Sequence, residues 1–237
     1  MSDDEPLRIA LVAEGPTDRI VLDAALSSIL GDRRYILRLL QPEDSLAFAP
    51  PSASSGRGKG WGGVCLWCRN THQRGGGTLR QDLVFETYDL LIVHLDADVA
   101  GCRYSDCGLP DDVGDLPCDE PCPPPSTTVD RLRCVILRWV GETELPPHTV
   151  LCIPSKSTET WVVAALFPDD KEMQRKGWEC HPNPATRLAA QPKSDRLKKT
   201  EMNYRGIQDR LAAEWPRVCS LLGEAERFSE AVRNSVR

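Results

Sequence analysis

Four carboxylates stand where apolar runs stop. Residues 7–13 end in Glu14, followed by Gly15-Pro16-Thr17-Asp18. The apolar stretch that begins near residue 88 ends in Asp96 and Asp98. Glu159 follows the apolar segment 148–154, after the turn Ser155-Lys156-Ser157. Two carboxylates ~4 Å apart repel by roughly 4 kcal/mol at an effective dielectric of about 20. A converging set therefore takes up protons or holds divalent cations, and oxygen-only ligation favours Mg²⁺ or Mn²⁺ over zinc. Lys156 lies between the last strand and Glu159, placed to stabilise charge on a phosphoryl transition state. A lysine in a surface turn is the commoner explanation.

Convergence depends on the elements that carry these residues. The nearly continuous apolar run 7–13 has the composition of a strand buried on both faces. Thr17 is a helix cap, with Asp18 in the first turn. Ile20, Val21, Ala24, Ala25, Ser28 and Ile29 follow helical spacing until Gly31. Further strands are expected over 34–40, 88–101 and 148–154, and helices over 79–87, 129–140 and 157–167. Such alternation predicts an α/β fold, a parallel sheet flanked by helices. Ligands of open parallel sheets bind beyond the carboxyl ends of the strands, so all four acids are aimed at one edge. Period-two alternation would put His94, Asp96 and Asp98 on one side, with Leu95 and Ala97 on the other. Singly, each acid reads as a turn or a cap; their coincidence at strand ends is the signal.

Composition narrows the rest. Net charge is −6 over 237 residues, and it is uneven: residues 1–170 carry −11 and residues 171–237 carry +5. This excludes a simple nucleic-acid coat protein but not a basic surface beside an acidic site. The N-terminus is acidic with no apolar signal core, and the longest apolar stretch, WVVAALF, is far too short to cross a bilayer. A cytoplasmic location, with no membrane partner, is expected. The ten cysteines should then be thiols or metal ligands rather than disulfides.

Residues 102–126 form a Cys/Pro-rich insertion with little apolar content. One structural Zn²⁺ on Cys102, Cys107, Cys118 and Cys122 would order it; a site using Cys65 and Cys68, or ordinary reduced thiols, are the alternatives. Cys134, Cys152 and Cys219 read as core residues. Residues 41–78 read as an irregular, Gly-rich basic loop. There Arg57, Lys59 and Arg69 beside Trp61 suit single-stranded nucleic acid by phosphate contact and stacking; tryptophans packed back on the sheet are the competing reading. Lys193–Lys199 would extend a phosphate track or form a solvated helix face. Residues 1–170 are expected to be the catalytic domain and 171–237 a helical basic extension.

The stretches VAEGPTD and IVHLDADVAG together resemble the Toprim (topoisomerase–primase) domain, with its strand-end glutamate and later DxD. IPSKSTETWVVAAL is similar to the Pro-Ser-x-x-x-Glu-x-Trp region of RloB-like and related Toprim-like proteins of bacterial defence loci. The resemblance covers about residues 7–167 and includes a Gly-Trp-x-Gly-Val loop. It implies a Toprim-like sheet, with Glu14, Asp96 and Asp98 as the metal and general-base set and Glu159 as an added ligand. The implied activity is Mg²⁺-dependent cleavage of DNA or RNA, in a defence or repair complex with an ATPase partner. The usual third acid of the DxD motif is Ala100 here, so Glu159 or Asp18 must supply it. No topoisomerase tyrosine can be assigned, since Tyr204 lacks the surrounding domains. A non-catalytic nucleic-acid or partner-binding module is the alternative, and nucleotidyl transfer is a weaker third.

Overall fold

The computed structural model describes residues 5–42, 60–74, 76–109 and 116–236. Four strands, β1 (Leu7–Val12), β2 (Tyr35–Gln41), β3 (Leu90–His94) and β4 (Thr149–Cys152), form one all-parallel sheet in the order β2-β1-β3-β4. Ile9 is paired with Leu37 on one side and Leu90 on the other. β3 and β4 are buried throughout because helices cover both faces. At the edge, β2 leaves Ile36 55% exposed.

Alternate strand residues feed two cores. Ile9, Leu11, Leu90, Ile92 and Val150 face α1 (Pro16–Leu30), α5 (Thr158–Leu166), α8 (Glu201–Leu221) and α9 (Gly223–Ser235). Ala10, Val12, Leu91 and Val93 face α2 (Gly60–Arg74) and α4 (Ser126–Trp139). Three short helices, α3 (Val84–Thr87), α6 (Lys171–Lys176) and α7 (Ala185–Ala190), complete the connections. The basic tail is more than an appendage. Trp161 of α5 meets Trp215 of α8 edge-on at 5.2 Å and stacks on Phe228 of α9 at 6.0 Å. α8 buries Tyr204, Leu211, Trp215 and Val218, while Met202 and Leu221 stay exposed on an otherwise polar surface.

Local chemistry moved several boundaries. Gly15, not Thr17, is the N-cap of α1, and Pro16 takes the first helical position, where its fixed φ suits the turn. Gly31 closes the helix at φ +58°, as its position predicted. Residues 60–74, expected to be irregular, are helical. Gly60, Gly62 and Gly63 lower their intrinsic helix propensity, but packing overrides it. A Cβ on Gly62 would lie 2.7 Å from Cys107 Cβ, so glycine is what lets α2 lie against the insertion.

Among the described residues, Cys102, Cys107, Cys118 and Cys122 are not gathered into one quartet. Cys122 is disulfide-bonded to Cys180, which removes it from any thiolate set. Cys102 and Cys107 are partly buried thiols and Cys118 is exposed; the three do not form a metal-holding group among the described residues. Asp119 pairs with Lys156, and main-chain bonds join Leu116 to Cys102 and Gly101 to Pro117. These links, with Leu109 and Leu116 buried, tie the described parts of the segment to the core. The expectation that no cysteine would be paired is corrected accordingly. Cys134 is exposed rather than core, whereas Cys152 is buried. Among the described residues, no helix is long and apolar enough to cross a membrane.

Candidate metal centre

The strand order turns back between β1 and β3, since β2 lies to one side of β1 and β4 beyond β3. In such sheets the crevice at the carboxyl ends of the two central strands is where ligands sit. Glu14 leaves β1 there and Asp96 leaves β3. Asp96 N–H donates to Glu14 Oε1 at 2.8 Å, so the two acids share one corner.

Regular strand geometry ends at His94. Leu95 and Ala97 still donate to the main chain of β4 and its extension, at Cys152 and Pro154, but 97–99 winds into a 3₁₀ turn capped by Asp96. The turn breaks the predicted period-two row: Asp96 is buried, while Asp98 emerges toward solvent with its N–H donating to the Lys156 carbonyl at 3.0 Å. Helix α5 closes the other side. Ser157 is its N-cap residue, and the freed N–H of Thr158 donates to Asp96 Oδ1 at 3.2 Å. The Thr158 hydroxyl donates to Asp18 Oδ1 at 2.7 Å. One threonine thus fixes two carboxylates from different elements. Glu159, 2% exposed, accepts from Tyr204 Oη at 3.2 Å and pairs with Lys199 Nζ at 2.6 Å.

Electrostatics follow from this crowding. Loss of hydration, then the charge of Asp96, pushes the Glu14 carboxyl well above its usual range. Burial does the same to Asp96, reinforced by Asp18, Glu159 and Asp98. Asp98 is raised by lost hydration and then by Glu159. At Glu159 burial works upward too, but the Lys199 ammonium outweighs it and holds the carboxyl below its usual range. Lys199 thus joins the cluster directly through its ion pair with Glu159.

The donors fit a divalent cation. Asp18, His94 and Asp96 are buried, and one ligand atom from each lies within 4.8 Å of the others. His94 is fully buried, and neither ring nitrogen has a hydrogen-bond partner; Nε2 lies 3.1 Å from Asp96 Oδ1 without hydrogen-bond geometry. A buried polar group left unsatisfied costs about 1–3 kcal/mol, and a cation between these atoms would relieve both that cost and the repulsion. The cluster opens into a cleft of about 500 Å³ lined by Glu14, Asp18, Gly60, Asp96, Lys199 and Thr200. The N-termini of α1, α2 and α8 border this cleft, and that of α5 meets Asp96. Their positive dipole ends suit anions. Gly15 is extended there, a conformation open to any residue, so its backbone does not itself require glycine.

The other predicted site residues fall elsewhere. Lys156 Nζ is bound to Asp119 at 2.8 and 2.9 Å, which makes it an anchor for the insertion rather than a free charge over the acids. Arg57 and Lys59 lie outside the described residues. Trp61 and Trp67 pack against the second core, with Trp61 5.8 Å from the Tyr104 ring. The Arg69 guanidinium lies 4.8 Å from the centroid of that tyrosine ring, a cation–π arrangement within the protein. Four participants were undervalued by sequence reasoning: Asp18, His94, Lys199 and Tyr204. Only Asp18 carried a clear signal, as a short-range acid after Glu14; the other three depend on tertiary contacts.

No family model, curated protein or solved structure matches the chain.

Proposed function

We propose that the protein is a divalent-metal-dependent phosphodiester hydrolase acting on nucleic acid, with a Toprim-like catalytic domain. The observation that carries the reading is the junction of Glu14, Asp18 and Asp96, from two strand ends and a helix start, around one open cleft at the sheet's switch point. The strand order and the Glu14, DxD and Glu159 motifs support the Toprim resemblance. Glu14, Asp18 and Asp96 would hold the ion, with Asp98 and Glu159 at its margin. A bound Mg²⁺ or Mn²⁺ supplies Lewis-acid polarisation of a phosphoryl oxygen and a water of lowered pKa. The chain's own part is positional and protonic. The helix N-termini around the cleft orient a phosphate by its oxygens. Asp98, solvent-facing and with its carboxyl raised by lost hydration and then by Glu159, would in its ionised form accept the proton of the attacking water. Thr158 keeps Asp18 and Asp96 from swinging apart. Lys199, held by Glu159, places a positive group at the wall of the same cleft.

A second reading has its own support: the Lys199–Glu159 pair partly neutralises the cluster without any metal. That suits a binding module whose acids are structural. Hydrolysis of bis(p-nitrophenyl) phosphate and of labelled single- and double-stranded DNA and RNA separates the two. The hydrolase turns over at least one substrate with Mg²⁺ or Mn²⁺ and stops in EDTA; the binding module retains nucleic acid and cleaves none. The defence-protein resemblance extends the proposal to an ATPase encoded nearby. Co-purification tests that partnership, and a chain running alone at every salt concentration counts against it.

A further inference from the structure

The cleft's acids account for oxygen ligation, but they do not account for His94. The imidazole sits at the end of β3 with no exposed surface, and both ring nitrogens lack a hydrogen-bond partner. Structural histidines in a core ordinarily have one nitrogen bonded to a carbonyl or carboxylate. Here Nε2 lies 3.1 Å from Asp96 Oδ1 without making that bond, and Asp18 completes a three-donor group. The two carboxylates are already oriented by Thr158, through its N–H and its hydroxyl. Outer partners of this kind fix ligands in metal sites.

We infer that His94 is a nitrogen ligand, and that the Asp18–His94–Asp96 group selects a first-row transition divalent cation such as Mn²⁺ over Mg²⁺. Magnesium takes hard oxygen donors and gives up its waters reluctantly, whereas imidazole suits first-row transition ions such as Fe, Ni, Cu and Zn, with Mn²⁺ the weakest binder of that series. This rests on the metal-dependent reading of the same cleft, but it makes a separate claim about which donor touches the ion. It also accounts for a buried imidazole in an otherwise acidic corner. A purely electrostatic magnesium site would be served better by another carboxylate or a water there.

The test uses the full chain, stripped of metal and titrated with Mn²⁺ or Mg²⁺. Electron spin-echo spectroscopy of the Mn²⁺-loaded wild type reports directly bound imidazole nitrogen, without needing any variant. Calorimetry gives the Mn²⁺ and Mg²⁺ affinities of wild type and of His94→Asn and His94→Leu, each checked for folding by its melting curve. The expected result is ¹⁴N modulation in wild type, with Mn²⁺ affinity lowered about ten- to a hundredfold in the variants. Mg²⁺ affinity should change by less than about threefold, since its ligands would be the carboxylates. Absence of ¹⁴N modulation in wild type overturns the inference, as does failure of Mn²⁺ to bind at all or an equal loss of both ions in folded variants. Mn²⁺ bound with the nitrogen signal but without cleavage overturns the hydrolase reading alone. Cleavage supported by Mg²⁺ without the nitrogen signal overturns the ligand assignment alone.

Discussion

Replacing Asp96 by asparagine should make the metal-free protein more stable while destroying its response to metal. Asp96 is 5% exposed, and a ligand atom of its carboxylate lies within 4.8 Å of one from Asp18. Two full charges at that separation repel by about 3.5 kcal/mol at an effective dielectric near 20. The raised carboxyl relieves part of this by taking a proton, so a gain of about 1–3 kcal/mol is expected at pH 8. Asparagine keeps an oxygen to accept from Thr158 N–H, and it preserves the shape of the corner. A chain of this size shifts its melting temperature by roughly 2–4 °C per kcal/mol. In EDTA at pH 8, Asp96→Asn should therefore melt several degrees above wild type, and added Mn²⁺ should raise wild type only. The pH dependence has a definite sign. Asp96 and Glu14 are raised in the folded state, which then binds more protons than the unfolded chain. Metal-free stability falls as pH climbs from the ordinary carboxylate range, near 4, through the raised values, by at most about 1.4 kcal/mol per pH unit for each group. Asp96→Asn should flatten that slope and Mn²⁺ should offset it. An EDTA melting temperature equal to or below that of wild type would refute the reasoning, because the charge would then not be a strain on the fold.

Trp215→Ala should cost about 3–5 kcal/mol, read from urea midpoints, because the indole packs on Trp161 and donates to Ser229 Oγ at 2.9 Å. A surface-like loss below about 0.5 kcal/mol would show that α8 is not part of the core. Gly62→Ala should cost about 1–3 kcal/mol by driving α2 off Cys107; an unchanged melting temperature would place that helix differently. Peptide mapping without reductant should recover Cys122 joined to Cys180, while separately alkylated peptides would contradict the link. Breaking it by Cys180→Ser should cost up to about 4 kcal/mol for a loop closed across 58 residues, measured against wild type without reductant, with reduced wild type falling to the level of the variant.

Strand identity was legible because residues 7–13, 88–95 and 148–154 must be apolar on both faces in a covered parallel sheet. The helix α5 fell within a residue of its expected start, since Ser157 and Thr158 mark an N-terminus before an unbroken apolar run. Glu14 and Asp96 of the centre were readable for the same reason: they stand at the ends of runs that are apolar but for Arg8, Asp89 and His94. The rest depended on contacts between distant segments. Helix α2 hides behind glycines whose value lies in close approach to Cys107. The tail's four buried positions in α8 are spread over a polar sequence, so its place over the sheet is set by tertiary packing. Lys199 meets Glu159 across 40 positions, a pairing no local pattern announces. His94 sits inside an apolar strand end, where a histidine has the same appearance whether it binds a metal or merely fills the core.

Cleavage of phosphodiester bonds is the activity we propose for this carboxylate corner. The most direct measurement compares wild type with Asp96→Asn and Glu14→Gln, purified identically, on end-labelled DNA and RNA in Mn²⁺, in Mg²⁺ and in EDTA. The account predicts metal-dependent cleavage by wild type and loss of turnover in both variants. It also predicts that the double variant loses no more than either single one, because both groups serve one site. Equal cleavage by all the proteins would mark a contaminant, and no cleavage by wild type on any substrate would contradict the account.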